Sequence, residues 1–135
     1  MATMSSDESL APTPLPAHIY KLLPSPPPSP LPPALPVSEL DQNDGYIHLS
    51  THTQVPGTAS RFFASEKEVW LLKLRYEDVK PHIRWEKSGS GVFPHFYNGL
   101  KVGKDKVFDV KGWKKADFAG RDWKEILEED AWLEA

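Results

Sequence analysis

The chain has 135 residues, 39% of them hydrophobic, a formal net charge of -3, a pI near 5.9 and no cysteine. That size supports one domain around one modest core. The charge excludes a general attraction to nucleic acid or anionic membrane, and the missing cysteines exclude disulfides, thiolate metal sites and a thiol nucleophile.

Residues 1–17 are small, polar and proline-containing, too poor in apolar groups to offset the entropy of ordering, and are expected to form a disordered tail. They lack the basic and apolar regions of a leader, and no run in the chain approaches a membrane span, so an intracellular, cytoplasmic location is expected. A single α+β domain then occupies residues 18–135. Residues 18–23, HIYKLL, read as a short strand. Lys21 interrupts it, either as an edge-strand solubiliser or as a cation aimed at a ligand. Residues 24–36, PSPPPSPLPPALP, hold more than half of the 14 prolines and cannot form a helix or central strand. An extended proline-rich loop over 24–37 follows. Its P-x-x-P spacings, Pro24 with Pro27 and Pro30 with Pro33, fit an SH3 or WW groove, and a stiff spacer is the alternative.

Residues 40–63, LDQNDGYIHLSTHTQVPGTASRFF, are the most informative stretch. Asp44 and Gly45 form a turn, and Tyr46 to Ser50 alternate as a strand, with Tyr46, His48 and Ser50 on one face and Ile47 and Leu49 on the other. Thr51 and Gln54 have capping-box spacing, but Thr53 is the preferred N-cap because it places Pro56 in the first helical turn. Val55, Ala59, Phe62 and Phe63 then share a helical face. The strand end and the helix start together favour an anion.

Residues 68–78, EVWLLKLRYED, read as a central strand, apolar on both faces at first. Pro81 ends it, and Ile83 to Glu86 form another strand. The sequence SGSG at 88–91 fits a mobile lip. In FPHFYNGL, residues 93–100, His95 and Tyr97 project to one side of an extended backbone. Turns at Asn98-Gly99 and at 103–106 precede a strand with Val107, Phe108 and Val110. Trp123, Ile126 and Leu127 mark a carboxy-terminal helix that closes the core, with Glu128 and Glu129 on its solvated side.

The polar groups not evidently on the surface are His48, Ser50, Thr51, Gln54, Arg61, Glu86, His95 and Tyr97, with Lys21 and Asp44 as outliers. A Ser-His hydrolase lacks its G-x-S-x-G elbow here. His48 and His52 lack the helical HExxH setting, so no metal is expected. The DQNDG run has its glycine one position early for a calcium loop, and no phosphate-cradling glycine motif is present. Two imidazoles, hydroxyls, a tyrosine, a carboxylate and one or two basic groups suit a ribosyl or nucleotide ligand: stacking for a base, hydrogen bonds to ribose, and a carboxylate near a developing oxocarbenium ion.

The run of motifs IYK, LDxxDGYIHLS, TxxQVPxTAxRFF, WLLKL, RWE and FPHFY, spread between His18 and Trp113, resembles the small domain-of-unknown-function 952 family. That resemblance implies a compact ADP-ribosyltransferase-like split β-sheet around a cleft with a few short helices. YIHLS is in turn similar to the HVHLS motif of RNA 2′-phosphotransferases, which use NAD. By that likeness His48 and Ser50 line an NAD cleft, IYK supplies the first ligand-binding strand, and Glu86 or His95 sits near the reacting ribose. Lys21 stands where those transferases place a histidine.

The leading expectation is therefore a pocket enzyme acting on NAD or another ribosyl or nucleotide substrate. In it His95 is the general acid or base, Glu86 the electrostatic stabiliser and His48 a further catalytic-site residue, with Lys21, Ser50, Thr51, Gln54, Arg61 and Tyr97 on the ligand. A non-catalytic module binding a nucleotide-like or anionic metabolite is the alternative, and a proline-rich interaction protein the third.

Overall fold

The computed structural model describes residues 7–89 and 91–135. It contains two three-stranded antiparallel sheets. The larger has β1 (His18–Leu23), β3 (Glu68–Arg75) and β6 (Val107–Lys114) in the order β1-β3-β6. The smaller has β2 (Ile47–His48), β4 (Ile83–Ser88) and β5 (Gly91–Phe96) in the order β2-β5-β4. Four helices, α1 (Glu39–Asp44), α2 (Val55–Phe62), α3 (Tyr76–Val79) and α4 (Trp123–Glu128), complete an α+β fold with two short 3-10 turns, Lys80–His82 and Lys115–Phe118. Among the described residues no helix is long and apolar enough to cross a membrane.

β3 lies between β1 and β6 and is apolar on both faces, as its sequence requires of a central strand. Leu72 and Leu74 join Ile19, Ile47, Leu49, Ile83, Trp85 and Phe96 in a core shared by both sheets. Val69 and Leu71 join Tyr20, Leu22 and Trp113 under α2 and α4, which contribute Val55, Ala59, Trp123, Ile126 and Leu127. Trp70 lies flat over Gly112 of the neighbouring strand, where a Cβ would stand 2.4 Å from the indole. The sheets meet at one antiparallel bridge: Tyr20 N donates to Ser50 O at 2.8 Å and Ser50 N to Tyr20 O at 2.9 Å. β1, which carries Lys21, is thereby fixed beside the end of β2, which carries His48.

Several local expectations change. Residues 1–6 of the expected disordered tail, and Ser90 of the expected lip, lie outside the described residues. From Asp7 onward the tail is held: Asp7 N donates to Ile83 O, Trp85 N donates to Asp7 O, and the buried Tyr76 hydroxyl donates to Glu8. Residues 39–44, to which the sequence assigned no helix, form α1, with the Ser38 side chain capping Asp41 N and Gly45 (φ 81°) ending the helix in the left-handed conformation. Thr53 does not cap α2. Gln54 holds the N-cap position, and its side chain reaches back to Thr51 N, the glutamine half of a capping box. The strand expected to run to Asp78 stops at Arg75, where α3 starts.

The proline-rich loop has neither helix nor strand over 24–36, yet it is tied down. Leu35 is buried, its N–H donates to Val102 O, and Lys104 N donates to Pro32 O. Beyond α4 the chain leaves the helix and crosses β1 and β3. There Tyr20 Oη donates to Glu134 O, and the buried Lys73 Nζ donates to Trp132 O and Glu134 Oε2.

Candidate functional site

The smaller sheet has two unlike faces. Antiparallel register puts Ile47 opposite Phe96 and Phe96 opposite Ile83, a row that enters the core. One residue along, His48 faces His95 and His95 faces Arg84, a row that points the other way. The two-residue period adds Tyr46, Tyr97 and Glu86 to that second face. The rings converge: Tyr46 stacks on His95 at 4.2 Å between centroids and lies 4.7 Å from His48 and 5.0 Å from Tyr97, while His48 and His95 are 5.4 Å apart, edge to face. The two histidine segments, separated by about a third of the chain, thus meet as cross-strand neighbours.

Each imidazole is oriented by a carboxylate. Glu86 Oε1 accepts from His95 Nδ1 at 2.7 Å and from Tyr97 Oη at 2.6 Å. Asp41, 2% exposed, accepts from Lys21 Nζ at 2.7 Å, from His48 Nδ1 at 2.6 Å and from His48 N at 3.2 Å. Asp44, at the end of α1, stands 2.9 Å from His48 Nε2 in an ion-pair contact. A one-and-a-half-turn helix thus sets two carboxylates on opposite edges of one ring.

The environments push the charges in definite directions. Burial lowers the His95 pKa below the usual histidine range, and Glu86 opposes the shift only in part, so the ring is neutral at pH 7. With its Nδ1 proton on Glu86, the Nε2 lone pair is the basic one. Burial would raise the Glu86 carboxyl, but the Tyr97 hydroxyl and His95 outweigh it and hold the group ionised. Burial likewise opposes ionisation of Asp41, and His48 with Lys21 overcomes it. Tyr97 is pushed up, first by burial and then by donating to Glu86, so it stays a hydrogen-bond donor.

Of the residues expected on the ligand, the structure brings together His48, His95, Glu86, Tyr97 and Lys21. Lys21 donates to the buried Asp41 at 2.7 Å and is largely buried itself, so it is not a solvated edge charge. Four others are engaged elsewhere. Ser50 uses its main chain in the bridge to Tyr20. Thr51 and Gln54 bond each other, and Gln54 Nε2 donates to Val92 O at 2.6 Å. Arg61 is exposed on α2, its guanidinium 5.5 Å from the centre of the adjacent Phe62 ring. The expected open cleft is narrowed, because His95 is 2% exposed beneath the Tyr46 ring.

Asp41 is the residue that sequence reasoning missed, because only Asp44-Gly45 reads there, as a turn, and DQNDG is weighed only as a calcium loop. The signal was Ser38 three residues before Asp41, an N-cap spacing that announces α1. Among the described residues no group of three or more metal-ligating side chains could hold an ion. A surface hollow of about 300 Å³, lined by residues including Ala64, Lys67, Lys115 and Ala116, shares no residue with the ring cluster and lacks its acid–base groups.

A family model described as a protein of unknown function, DUF952, matches residues 33–110. That span includes every site residue above except Lys21. The crystal structure of protein CC0527 from Caulobacter crescentus is similar at 28% identity and a TM-score of 0.56, over 70% of this chain and 84% of that one. A double mutant of CC0527 gives the same values. No curated protein matches the chain.

Proposed function

This chain belongs to the DUF952 family, and from that premise we propose that it is an acid–base enzyme acting on a ribosyl or nucleotide substrate, NAD among the candidates. His95 Nε2 accepts the proton, Glu86 holds the ring in the required tautomer and stabilises the imidazolium that forms, and Tyr97 keeps Glu86 ionised. His48, fixed by Asp41 and Lys21, presents a second imidazole to the same ligand, and the Tyr46 and Tyr97 rings offer stacking surface for a base. The observation that carries this reading is the neutral, buried His95 with Nδ1 committed to Glu86, 5.4 Å from a second carboxylate-braced histidine. An imidazole whose pKa is lowered by burial beside a specific charge partner is a candidate mark of a reaction site. The α+β architecture with two small sheets and the YIHLS resemblance favour the ribosyl class.

The test is a thermal-shift screen against NAD, ADP-ribose and mononucleotides, followed by a nicotinamide-release assay on wild type and His95→Ala. Binding with turnover that His95→Ala abolishes supports the reading. Unchanged turnover or unchanged affinity in a His48→Ala, His95→Ala double variant refutes it.

A second reading, a binding module without turnover, is favoured by the Tyr46 ring stacked at 4.2 Å on the catalytic imidazole. It predicts ligand binding in the screen with no product. We also propose that the loop serves as an SH3 or WW ligand, because Pro24, Pro26, Pro28 and Pro30 are exposed while Leu35 anchors the segment. Titration of the full chain with an isolated SH3 or WW domain tests it, and binding insensitive to Pro27→Ala and Pro30→Ala refutes it.

A further inference from the structure

The two carboxylates on His48 differ in standing. Asp41 is buried and divides its oxygens among three donors from β1 and β2. Asp44 has a 39% exposed side chain, and its one ion-pair partner among the described residues is His48 Nε2. It also closes α1 immediately before Gly45, which ends the helix in the left-handed conformation. Asp41 is therefore a brace, whereas Asp44 is a removable contact.

The remaining charges indicate what replaces it. Asp41 already accepts from Lys21 and His48, and Glu86 Oε1 already accepts from Tyr97 and His95. Arg84 adds a positive group in the His48–His95 row, with its guanidinium 5.7 Å from the Tyr97 ring centre. His48, which Asp44 contacts, lies 4.7 Å from the Tyr46 ring and 5.4 Å from the His95 ring, so an anion at the Asp44 position borders the ring cluster.

We propose that Asp44 is a built-in stand-in for the oxyanion of a ligand, and that a phosphate or carboxylate group displaces it from His48 Nε2. The inference rests on the ligand-site reading above and deepens it by naming the group the ligand presents. Asp44 then limits affinity: every incoming anion competes with it, and only one whose remaining atoms also stack on the rings or reach His95 displaces it at low concentration.

The experiment is an NMR titration of the full chain, observing the His48 ring nitrogens, with inorganic phosphate, acetate and AMP as probes, in wild type, Asp44→Ala, and His48→Gln on both backgrounds. A half-exposed ion pair is worth up to about 1 kcal/mol, so Asp44→Ala is expected to bind phosphate about fivefold more tightly than wild type. His48→Gln, read from backbone amide shifts, is expected to abolish the gain. AMP tighter than inorganic phosphate assigns the anion to a nucleotide, and equal affinities assign it to free phosphate. Both results support an oxyanion site. Asp44→Ala binding no tighter than wild type, or keeping its gain after His48→Gln, overturns the proposal. Amide spectra and melting curves check that each variant is folded. The readout does not depend on His95 or on turnover, so a phosphate gain without nucleotide chemistry sinks the enzyme reading alone, and turnover without the gain sinks this one alone.

Discussion

Replacing Asp41 by alanine removes the acceptor that joins β1, β2 and α1. Three donors lose their partner at once: Lys21 Nζ, His48 Nδ1 and His48 N. The Lys21 side chain is 12% exposed and Asp41 2%, so solvent replaces little of what is lost. Breaking a buried ion pair from one side costs about 3–5 kcal/mol, chiefly because the other charge stays buried and unpaired. With a urea m-value of about 1–3 kcal/mol/M, the unfolding midpoint should fall by roughly 1–5 M. Removing both charges, as Lys21→Met with Asp41→Leu, should recover more than half of the loss. His48 Nδ1 and N remain without their acceptor and keep a residual cost of about 1–2 kcal/mol.

The same variant tests the electrostatics through pH. The Asp41 carboxyl is held below its ordinary value of about 3.9, so between the two values the unfolded chain binds the proton more readily than the folded one. Its contribution is complete above the ordinary value and disappears as pH falls through the folded value. The difference in unfolding free energy between wild type and Asp41→Ala should therefore be constant near neutrality and shrink below about pH 4. A midpoint shift worth under about 0.5 kcal/mol, the size expected of an ordinary surface substitution, refutes the role given to Asp41. So does a difference that persists undiminished into acid.

Glu86→Gln removes the group that opposes the burial shift on His95, so the acid inflection of activity or ligand affinity should move to lower pH, read from a pH profile. In wild type that inflection should already lie below about 6.5, the ordinary histidine value. Tyr97→Phe removes a hydroxyl donor from Glu86 and should move the Glu86 titration toward its ordinary range, followed by carboxyl 13C shifts. Gly112→Ala drives a methyl into the Trp70 indole and should cost about 1–3 kcal/mol in urea unfolding with the ring cluster intact by NMR. Leu35→Ala should cost about 2–3 kcal/mol, whereas Pro28→Ala in the exposed part of the same loop should change unfolding by less than about 0.5 kcal/mol.

The parts of the fold that were legible in the sequence are those with a strong local period. β3 declares itself through Val69, Leu71, Leu72 and Leu74, apolar on both faces, and α4 through Trp123, Ile126 and Leu127. His48 and His95 stood out because polar rings on the alternating positions of short strands have no packing reason to be there. Thr51 and Gln54 were polar for a local reason instead, a helix start, and single-sequence reasoning cannot separate a hydroxyl that caps from one that binds. Arg61 was misplaced because a helical wheel fixes a face but not what lies opposite. α1 was hidden by its own composition: Asp41, Asn43 and Asp44 are weak helix formers, and the helix exists because Ser38 and Gly45 cap it and Asp41 is paired from outside.

That last dependence links the stability of α1 to the chemistry of the site. β2 is two residues long and pairs with β5 at Ile47–Phe96 and His48–His95, extended by the Leu49 N–Pro94 O bond. A slip of one residue would turn His48 into the core and Ile47 out to solvent. Two features oppose the slip: the Tyr20–Ser50 bridge at one end of the strand and Asp41 clasping His48 through both ring and main chain. The clasp works only while α1 is folded, and six residues of this composition do not hold a helix alone. Lys21 closes the circle, since it neutralises Asp41 from β1, the strand that also carries the bridge. Pairing of His48 with His95 is therefore a property of one cooperative unit drawn from β1, α1, β2 and β5. A substitution at Lys21 should loosen His95 although the two side chains share no bond, and amide exchange at His48 and His95 should speed up together in Lys21→Met. Independent exchange at the two positions would show that the sheet alone sets the pairing.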